Sequence, residues 1–340
     1  MSFGLPYKGS KSAIARDIVG VLPAGTRLVE LFCGGCAVTD YARRKTDKYS
    51  EFLVNDIDGR NPAVFMKAIT GGFRDEDRWI SRDDFFRLKE TDDYARICFS
   101  FGNNGKTYLY GPELEPYKRA IHHIVFWEDY EPMQELCPAV VDCIHEYCDG
   151  KDRKGRRLAL GEAIAEHVRR SNSVEYWHSN PMFRAVKVKW SKERRGMKGS
   201  EIVGDITDAE LYGQQSLQIL QNLERLQSLQ SLESLERLQS VEATGHVTAT
   251  SEDYRNYEHR EGDVVYCDPP YAGTSGYGCE FDHDAFWEWV RTRTYPVYVS
   301  EYRAPDDFIP VWEKQKRSLF NKTHLSKPVN EKLFIHRSMA

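Results

Sequence analysis

The run Val264-Val265-Tyr266-Cys267 ends in an acid, two prolines and a tyrosine: Asp268, Pro269, Pro270 and Tyr271. Proline carries no N–H and stops both helix and ladder, so a carboxylate, a rigid carbonyl and an aromatic ring are held at the tip of a predicted buried strand. That set suits chemistry on an exocyclic amino group of a heterocyclic base. Such a nitrogen is a poor nucleophile because its lone pair is delocalised into the ring. Two acceptors aimed at its hydrogens, the Asp268 carboxylate and the Pro269 carbonyl, draw it towards a tetrahedral shape. They also stabilise the positive charge that develops as a group is transferred to it. Pro270 fixes the loop, and Tyr271 offers a ring face for stacking. The plainer reading is a strand that merely ends in a turn.

A second constellation lies near the start of the chain. "RLVELF" reads as a short buried strand, followed by Gly34-Gly35, a helix from Ala37 to Arg44, and a second strand, "EFLVNDID", closing on Asp56. In doubly wound α/β folds a strand, glycine-rich turn, helix and strand with a terminal acid bind an adenosine-bearing ligand at the carboxyl ends of the strands. A carboxylate at Asp56 can accept from two vicinal hydroxyls, and Gly34 lets a ligand approach the backbone. Cys33-x-x-Cys36 has no second CxxC or His pair at ligand spacing, so no metal site is expected.

The elements that must position these groups fall at the two ends of the chain. Ile14, Ile18 and Leu22 predict a helix over 12–22, and a second α/β portion begins near Val241, with a helix at His283–Arg293 and a strand in "PVYVSEY". The middle, roughly 75–240, predicts helices at 121–130, 139–148 and 159–170. Asn104-Gly105 predicts a two-residue hairpin within "FGNNGKTY". From Leu217 to Leu238 leucine returns every third residue, a period of neither coiled coil nor amphipathic helix. We expect local helix there, in a simple-sequence insert without a chemical role. The expected domains are 1–75 with 241–340, and 76–240 containing the leucine-triplet segment at 214–240.

Composition bounds the partners. At 340 residues, with 41% hydrophobic and 29% charged residues, the chain is an ordinary globular one of one large or two smaller domains. No apolar run suits a membrane span, the N-terminus lacks a signal-peptide core, and eight scattered cysteines suit reduced thiols, so a cytoplasmic protein is expected. The net charge of −5 hides a segment, 151–200, with 14 Lys or Arg against 5 Asp or Glu. Such a segment reads either as a solvated face or as a contact to a phosphate backbone.

The conjunction of "PYKGSK", "LVELFCGGCAV", "VNDID" and "VVYCDPPYAGTSGY", in this order, resembles the Dam-type (D12 class) DNA adenine N6-methyltransferases. "TSEDYRNY", "PVYVSEYRAPDDF" and "KPVNEKLFIHR" resemble further segments of that family, more loosely. The resemblance implies an α/β fold with a doubly wound, mostly parallel sheet and an inserted, mainly helical recognition domain. It implies S-adenosylmethionine as cofactor, held by Tyr7, Lys11, Glu30, Phe32, Gly34 and Asp56, with Glu30 adding negative charge near the sulfonium. Core packing is the other reading of Phe32, and the family's last turn glycine is here Cys36.

The resemblance makes Asp268, Pro269, Pro270 and Tyr271 catalytic and double-stranded DNA the partner, with the target adenine flipped out of the duplex. Candidate DNA contacts are Lys8, Asn104, Lys106, Tyr108, Arg156, Arg157, Lys187, Lys189, Arg194, Arg195 and Lys198. The expected activity is site-specific methylation of adenine N6 by a bacterial or phage enzyme, a monomer or weak dimer. The alternatives are cytosine N4, adenine in RNA, or a DNA-binding relative that has lost catalysis.

Overall fold

The two runs that carry the candidate chemistry are neighbouring parallel strands. In the computed structural model, which describes residues 3–7, 9–136, 138–170, 227–239, 245–271, 281–317 and 328–340, Arg27–Leu31 (β1) lies between Glu51–Asn55 (β2) and Asp263–Cys267 (β4). His246–Thr250 (β3) extends the sheet beyond β2 and Val297–Glu301 (β5) beyond β4, all parallel. Phe308–Arg317 (β6) and Pro328–His336 (β7) run antiparallel, with β7 between β5 and β6. The order β3-β2-β1-β4-β5-β7-β6 is a mixed, mostly parallel sheet with flanking helices, the α/β class that the sequence predicts.

β1 is buried along its whole length, which explains its unbroken apolar character apart from Arg27 and Glu30. Val29, Leu31, Val265, Cys267 and Val299 form one core with Phe286, Trp287, Trp289 and Val290 of the helix His283–Arg291. That helix starts where the Asp282 side chain accepts the Ala285 N–H at 2.9 Å. At the amino ends of β1 and β4, Arg27 donates two hydrogen bonds to Asp263, at 2.8 and 2.6 Å.

Burial raises the Asp263 carboxyl, but hydrogen bonds from Arg27 and Tyr257 outweigh it and hold the group below its ordinary value. A depressed carboxylate stabilises the fold fully above its unfolded pKa of about 4, and the contribution is lost as pH falls through the lower folded value. Asp263→Asn is therefore expected to cost roughly 2–4 kcal/mol at pH 7. The cost should shrink in acid, as urea unfolding at pH 7 and pH 3 would show.

The chain divides into two compact units, Met1–Asp75 with Ser231–Ala340, and Glu76–Gln230. The sheet belongs to the first. The described part of the second is helical, with helices Arg82–Leu88, Asp93–Cys98, Glu115–Trp127, Glu131–Leu136, Pro138–Cys148 and Arg153–Arg170. Ile121, Ile124, Val125, Met133, Ile144, Leu160 and Ile164 build its core, joined by Leu229.

The leucine triplets are not a spacer where they are described. Gln227–Gln239 is a helix, and Leu229, Leu232, Leu235 and Leu238 are all buried. Three residues turn an α-helix by about 300°, so four leucines at that spacing sweep about half of the cylinder. A three-residue period is thus compatible with a short helix enclosed on half its circumference. Arg43 donates to the Leu238 carbonyl at 3.4 Å, tying the end of the helix to Ala37–Lys45. The expected local helix is present over 227–239, where the buried leucines give the segment a structural role, and Leu217, Leu220, Leu223 and Leu226 lie outside the described residues.

Candidate active site

The strand order reverses about β1, so the carboxyl ends of β1 and β4 open a crevice between neighbouring connections that leave in different directions. Asp268 follows β4 there, its N–H donating to the Leu31 carbonyl at 3.3 Å. The glycine-rich turn follows β1. Phe32 enters it with φ +60°, a conformation that an L side chain adopts only under strong constraint. Its half-buried ring packs against Tyr254, Phe281 and Phe286, with centroids 5.1–5.6 Å apart. The core-packing reading of the ring is therefore part of the answer, because these aromatics hold the strained backbone in place.

The turn itself is braced from below. Gly34 has φ +47°, and a Cβ added there would stand 3.0 Å from the Tyr7 ring. The Leu5 N–H donates to the Gly35 carbonyl at 2.7 Å, which lays the N-terminal segment along the turn. Cys36 precedes the helix Ala37–Lys45 with φ +55°, and its buried thiol donates to Cys33 Sγ at 3.3 Å. The Cys36 thiol is thus turned into the protein. Burial and nearby carboxylates raise both thiols above their ordinary value. No metal-ligating cluster occurs among the described residues.

Two acids flank the turn. Asp56, after β2, accepts the Gly34 N–H at 2.9 Å and the Asp58 N–H at 3.0 Å, so the sheet brings turn and acid into direct contact. Burial raises its carboxyl and those two backbone donors offset part of the rise. Glu30, inside β1, is buried and accepts the Thr39 N–H at the start of the helix Ala37–Lys45, at 2.9 Å. Burial pushes it up to about 7 despite that bond. Ile57, beside Asp56, is 64% exposed, an apolar side chain in water at the edge of the crevice.

Around Asp268 the structure assembles three groups, Lys11, Glu331 and Tyr271. Lys11, in the turn Lys11–Ala13, is only 8% exposed, and its Nζ lies 2.7 Å from Asp268 Oδ2. The same ammonium is 3.7 Å from Glu331 Oε1 on β7 and 4.6 Å from the centre of the Tyr271 ring. The Tyr271 hydroxyl donates to Glu331 Oε1. Asp268 Oδ1 is buried and has no hydrogen-bond partner among the described residues. Burial pushes the Asp268 carboxyl above its usual range, Lys11 pulls it back, Glu331 pushes it up again, and the nearby Tyr271 hydroxyl lowers it slightly. An orphaned buried acceptor beside a satisfied one is costly to maintain and marks a position kept for something that donates.

Glu331 is the site residue that sequence reasoning missed. A signal existed: Glu331 shares one face of β7 with Leu333 and Ile335, all of them buried, so an acid stands in register with core residues. The catalytic and cofactor candidates Tyr7, Lys11, Glu30, Phe32, Gly34, Asp56, Asp268, Pro269, Pro270 and Tyr271 all lie in the sheet-bearing unit.

The candidates for DNA contact divide. Tyr108 is buried and its hydroxyl donates to the Ile80 carbonyl at 2.8 Å, so it is a core residue of the helical unit. Arg156 is likewise buried, its guanidinium donating to the carbonyls of Val125, Lys151 and Phe126 and lying 3.3 Å from Glu128. Both side chains face the interior of their own unit, where sequence reasoning expected them at the surface. A basic side chain that caps carbonyls in its own unit has few donors left for a phosphate.

Lys106 is exposed, Arg157 is half-buried, and Asn104 accepts the Lys106 N–H at 2.8 Å. Instead of a two-residue hairpin, Ser100 and Tyr108 form an isolated antiparallel bridge around a wider loop, because Phe101–Asn103 curls into a 3₁₀ turn. Lys8, Lys187, Lys189, Arg194, Arg195 and Lys198 lie outside the described residues.

Comparison with known proteins agrees with this geometry. Residues 7–98, which carry β1, the glycine-rich turn, β2 and Asp56, match the profile of the family described as D12 class N6 adenine-specific DNA methyltransferase. A stretch of 131 residues is 30% identical to the retron Ec67 DNA adenine methylase of Escherichia coli, covering 36% of this chain and 39% of that protein. The chain thus spans about two-fifths of the length of that relative.

Proposed function

We propose that the protein transfers a methyl group from S-adenosylmethionine to the N6 amino group of an adenine flipped out of double-stranded DNA. The observation that carries this reading is Asp268, a half-buried carboxylate with Oδ2 held by Lys11 and a buried Oδ1 unpartnered among the described residues, at the carboxyl end of β4. The family profile matched by residues 7–98 names the base and the polymer.

The residues present fit the cofactor. Gly34 and Gly35 form a turn with no room beneath for a Cβ, Asp56 keeps acceptor capacity for ribose hydroxyls, and Ile57 offers an apolar surface beside it. Glu30 is a buried carboxyl poised to ionise opposite a cation. When bound, the cofactor supplies a methyl group on an electron-deficient sulfur.

The chain's own residues then act on the base. Asp268 Oδ1 accepts one amino hydrogen and the Pro269 carbonyl the other, which frees the lone pair and stabilises the charge that forms on nitrogen. Lys11 keeps Oδ2 occupied and so fixes the plane of the carboxylate. Pro270 restricts the loop. The Tyr271 ring carries the Lys11 ammonium 4.6 Å from its centre and so helps to hold that cation beside Asp268.

The decisive experiment incubates the protein with labelled cofactor and unmethylated duplex DNA, then resolves the hydrolysed nucleosides by mass spectrometry. N6-methyldeoxyadenosine is expected. Label only in cytosine, only in an RNA substrate, or in neither would overturn the reading. Gly34→Ala is expected to weaken cofactor binding about tenfold, since a positive φ costs an L side chain about 1–2 kcal/mol and the new Cβ presses on Tyr7. The check is thermal stabilisation by added cofactor, compared with wild type at equal concentration.

A further inference from the structure

We propose that Glu331 is a positioning residue for methyl transfer: it holds the Lys11 ammonium to one side of Asp268 and anchors the Tyr271 ring, so that Oδ1 of Asp268 stays open to the amino group. The inference rests on the methyl-transfer reading and deepens it, since neither the family profile nor the motifs around Asp268 reach β7.

The geometry is that of one ammonium shared between two carboxylates. Lys11 Nζ is 2.7 Å from Asp268 Oδ2 and 3.7 Å from Glu331 Oε1, with Glu331 only 1% exposed. An ammonium has three donors on a flexible stem and no intrinsic preference for one oxygen of a carboxylate. With Asp268 as its only anion, it could swing to bridge both oxygens and compete with the substrate for Oδ1. A second carboxylate on the far side draws it back. The same Glu331 oxygen takes the Tyr271 hydroxyl, and Tyr302 packs T-shaped against the Tyr271 ring with centroids 4.5 Å apart, so the ring is held by its tip and by a neighbouring ring.

Glu331 also changes the charge that Asp268 experiences. Its anion opposes ionisation of Asp268, whereas Lys11 favours it. The other titratable groups facing Asp268 are Glu30 on β1, Tyr266 and Cys267 on β4, and Tyr302 after β5. Of these, Tyr266 and Tyr302 also feel the Glu331 charge, as Tyr271 does, but all three are phenols held above their ordinary value and stay neutral across the acid limb.

Glu331→Gln tests this because the amide keeps the volume and can still accept from Tyr271 while losing the charge. We expect kcat to fall about 10- to 100-fold with the KM values for cofactor and DNA within about threefold of wild type. The acid limb of the kcat–pH profile should move to lower pH, because removing an anion lowers the pKa of Asp268. Glu331→Asp, which restores the charge on a shorter stem, should recover part of kcat and return the limb towards its wild-type position.

An unchanged kcat in Glu331→Gln would overturn the proposal. So would a lower kcat with an unmoved acid limb and no rescue by aspartate, the signature of a merely structural residue. Titration of the Asp268 carboxyl by carbon NMR reads the same displacement without turnover. If the wild-type protein methylates nothing, it is the methyl-transfer reading that has failed, and an unmoved Asp268 titration in Glu331→Gln would then overturn the role of Glu331 as well.

Discussion

Asparagine at position 268 is expected to reduce methyl transfer at least ~10³-fold while leaving cofactor binding within a few-fold of wild type. Single preorganised acceptors or donors at a reacting atom are worth about 10²–10³ in rate, and here one substitution removes two contributions. The amide has one acceptor oxygen instead of two. Lys11 will claim that oxygen, because its nearest anion at 2.7 Å has gone. The NH₂ of the amide then points at the amino group of the base, donor against donor. Aspartate to alanine should abolish transfer as completely, but it leaves a buried ammonium with Glu331 as its remaining anion. That is the more disruptive change. Single-turnover rates with bound labelled cofactor, measured beside a thermal melt, separate the chemical effect from unfolding. Turnover of Asp268→Asn within tenfold of wild type would remove Asp268 from the mechanism.

The second large effect is on stability. Leu235→Ala is expected to cost about 3 kcal/mol, the usual price of emptying a fully buried leucine site. Leu232→Ala should cost a similar amount, since both side chains are fully buried in the helix Gln227–Gln239. For units of this size, such a loss should lower the melting temperature by roughly 6–12 °C. Urea unfolding of the two variants provides the check. A loss below about 0.5 kcal/mol in both would mean that the leucines lie on a surface and that this stretch is as dispensable as a simple repeat suggests.

The parts of the site that could be read from the sequence are those written locally. β1, its glycine-rich turn, Asp56 and the Asp268–Tyr271 run each declare themselves within a dozen residues, through apolar runs ended by acids, glycines or prolines. The leucine helix was harder because a period of three fits neither regular element, and only its short length and its enclosure make it tolerable. Glu331 stayed hidden because its partners, Lys11 and Tyr271, come from distant parts of the chain and meet it only once β7 lies beside β5. Tyr108 and Arg156 show the converse. A tyrosine beside an Asn-Gly turn and an arginine in a basic run look like surface contacts, yet both point inward to backbone carbonyls. Charge pattern counts donors but does not say which way they face.

The strand order has a consequence for how the protein is made. β1 has β2 on one flank and β4 on the other, and β4 begins more than 200 residues later in the chain. A ribosome that has released the first strand, the glycine-rich turn and β2 has produced a two-stranded ribbon without the neighbours that cover it. Such a ribbon is marginal in water. The helical unit, whose contacts are largely local, can form while the rest is still being synthesised, but the sheet must wait for residues beyond 245. The long-range closure of β1 onto β4 is therefore the step expected to carry the largest loop-closure cost, and it is the same event that brings Lys11 to Asp268.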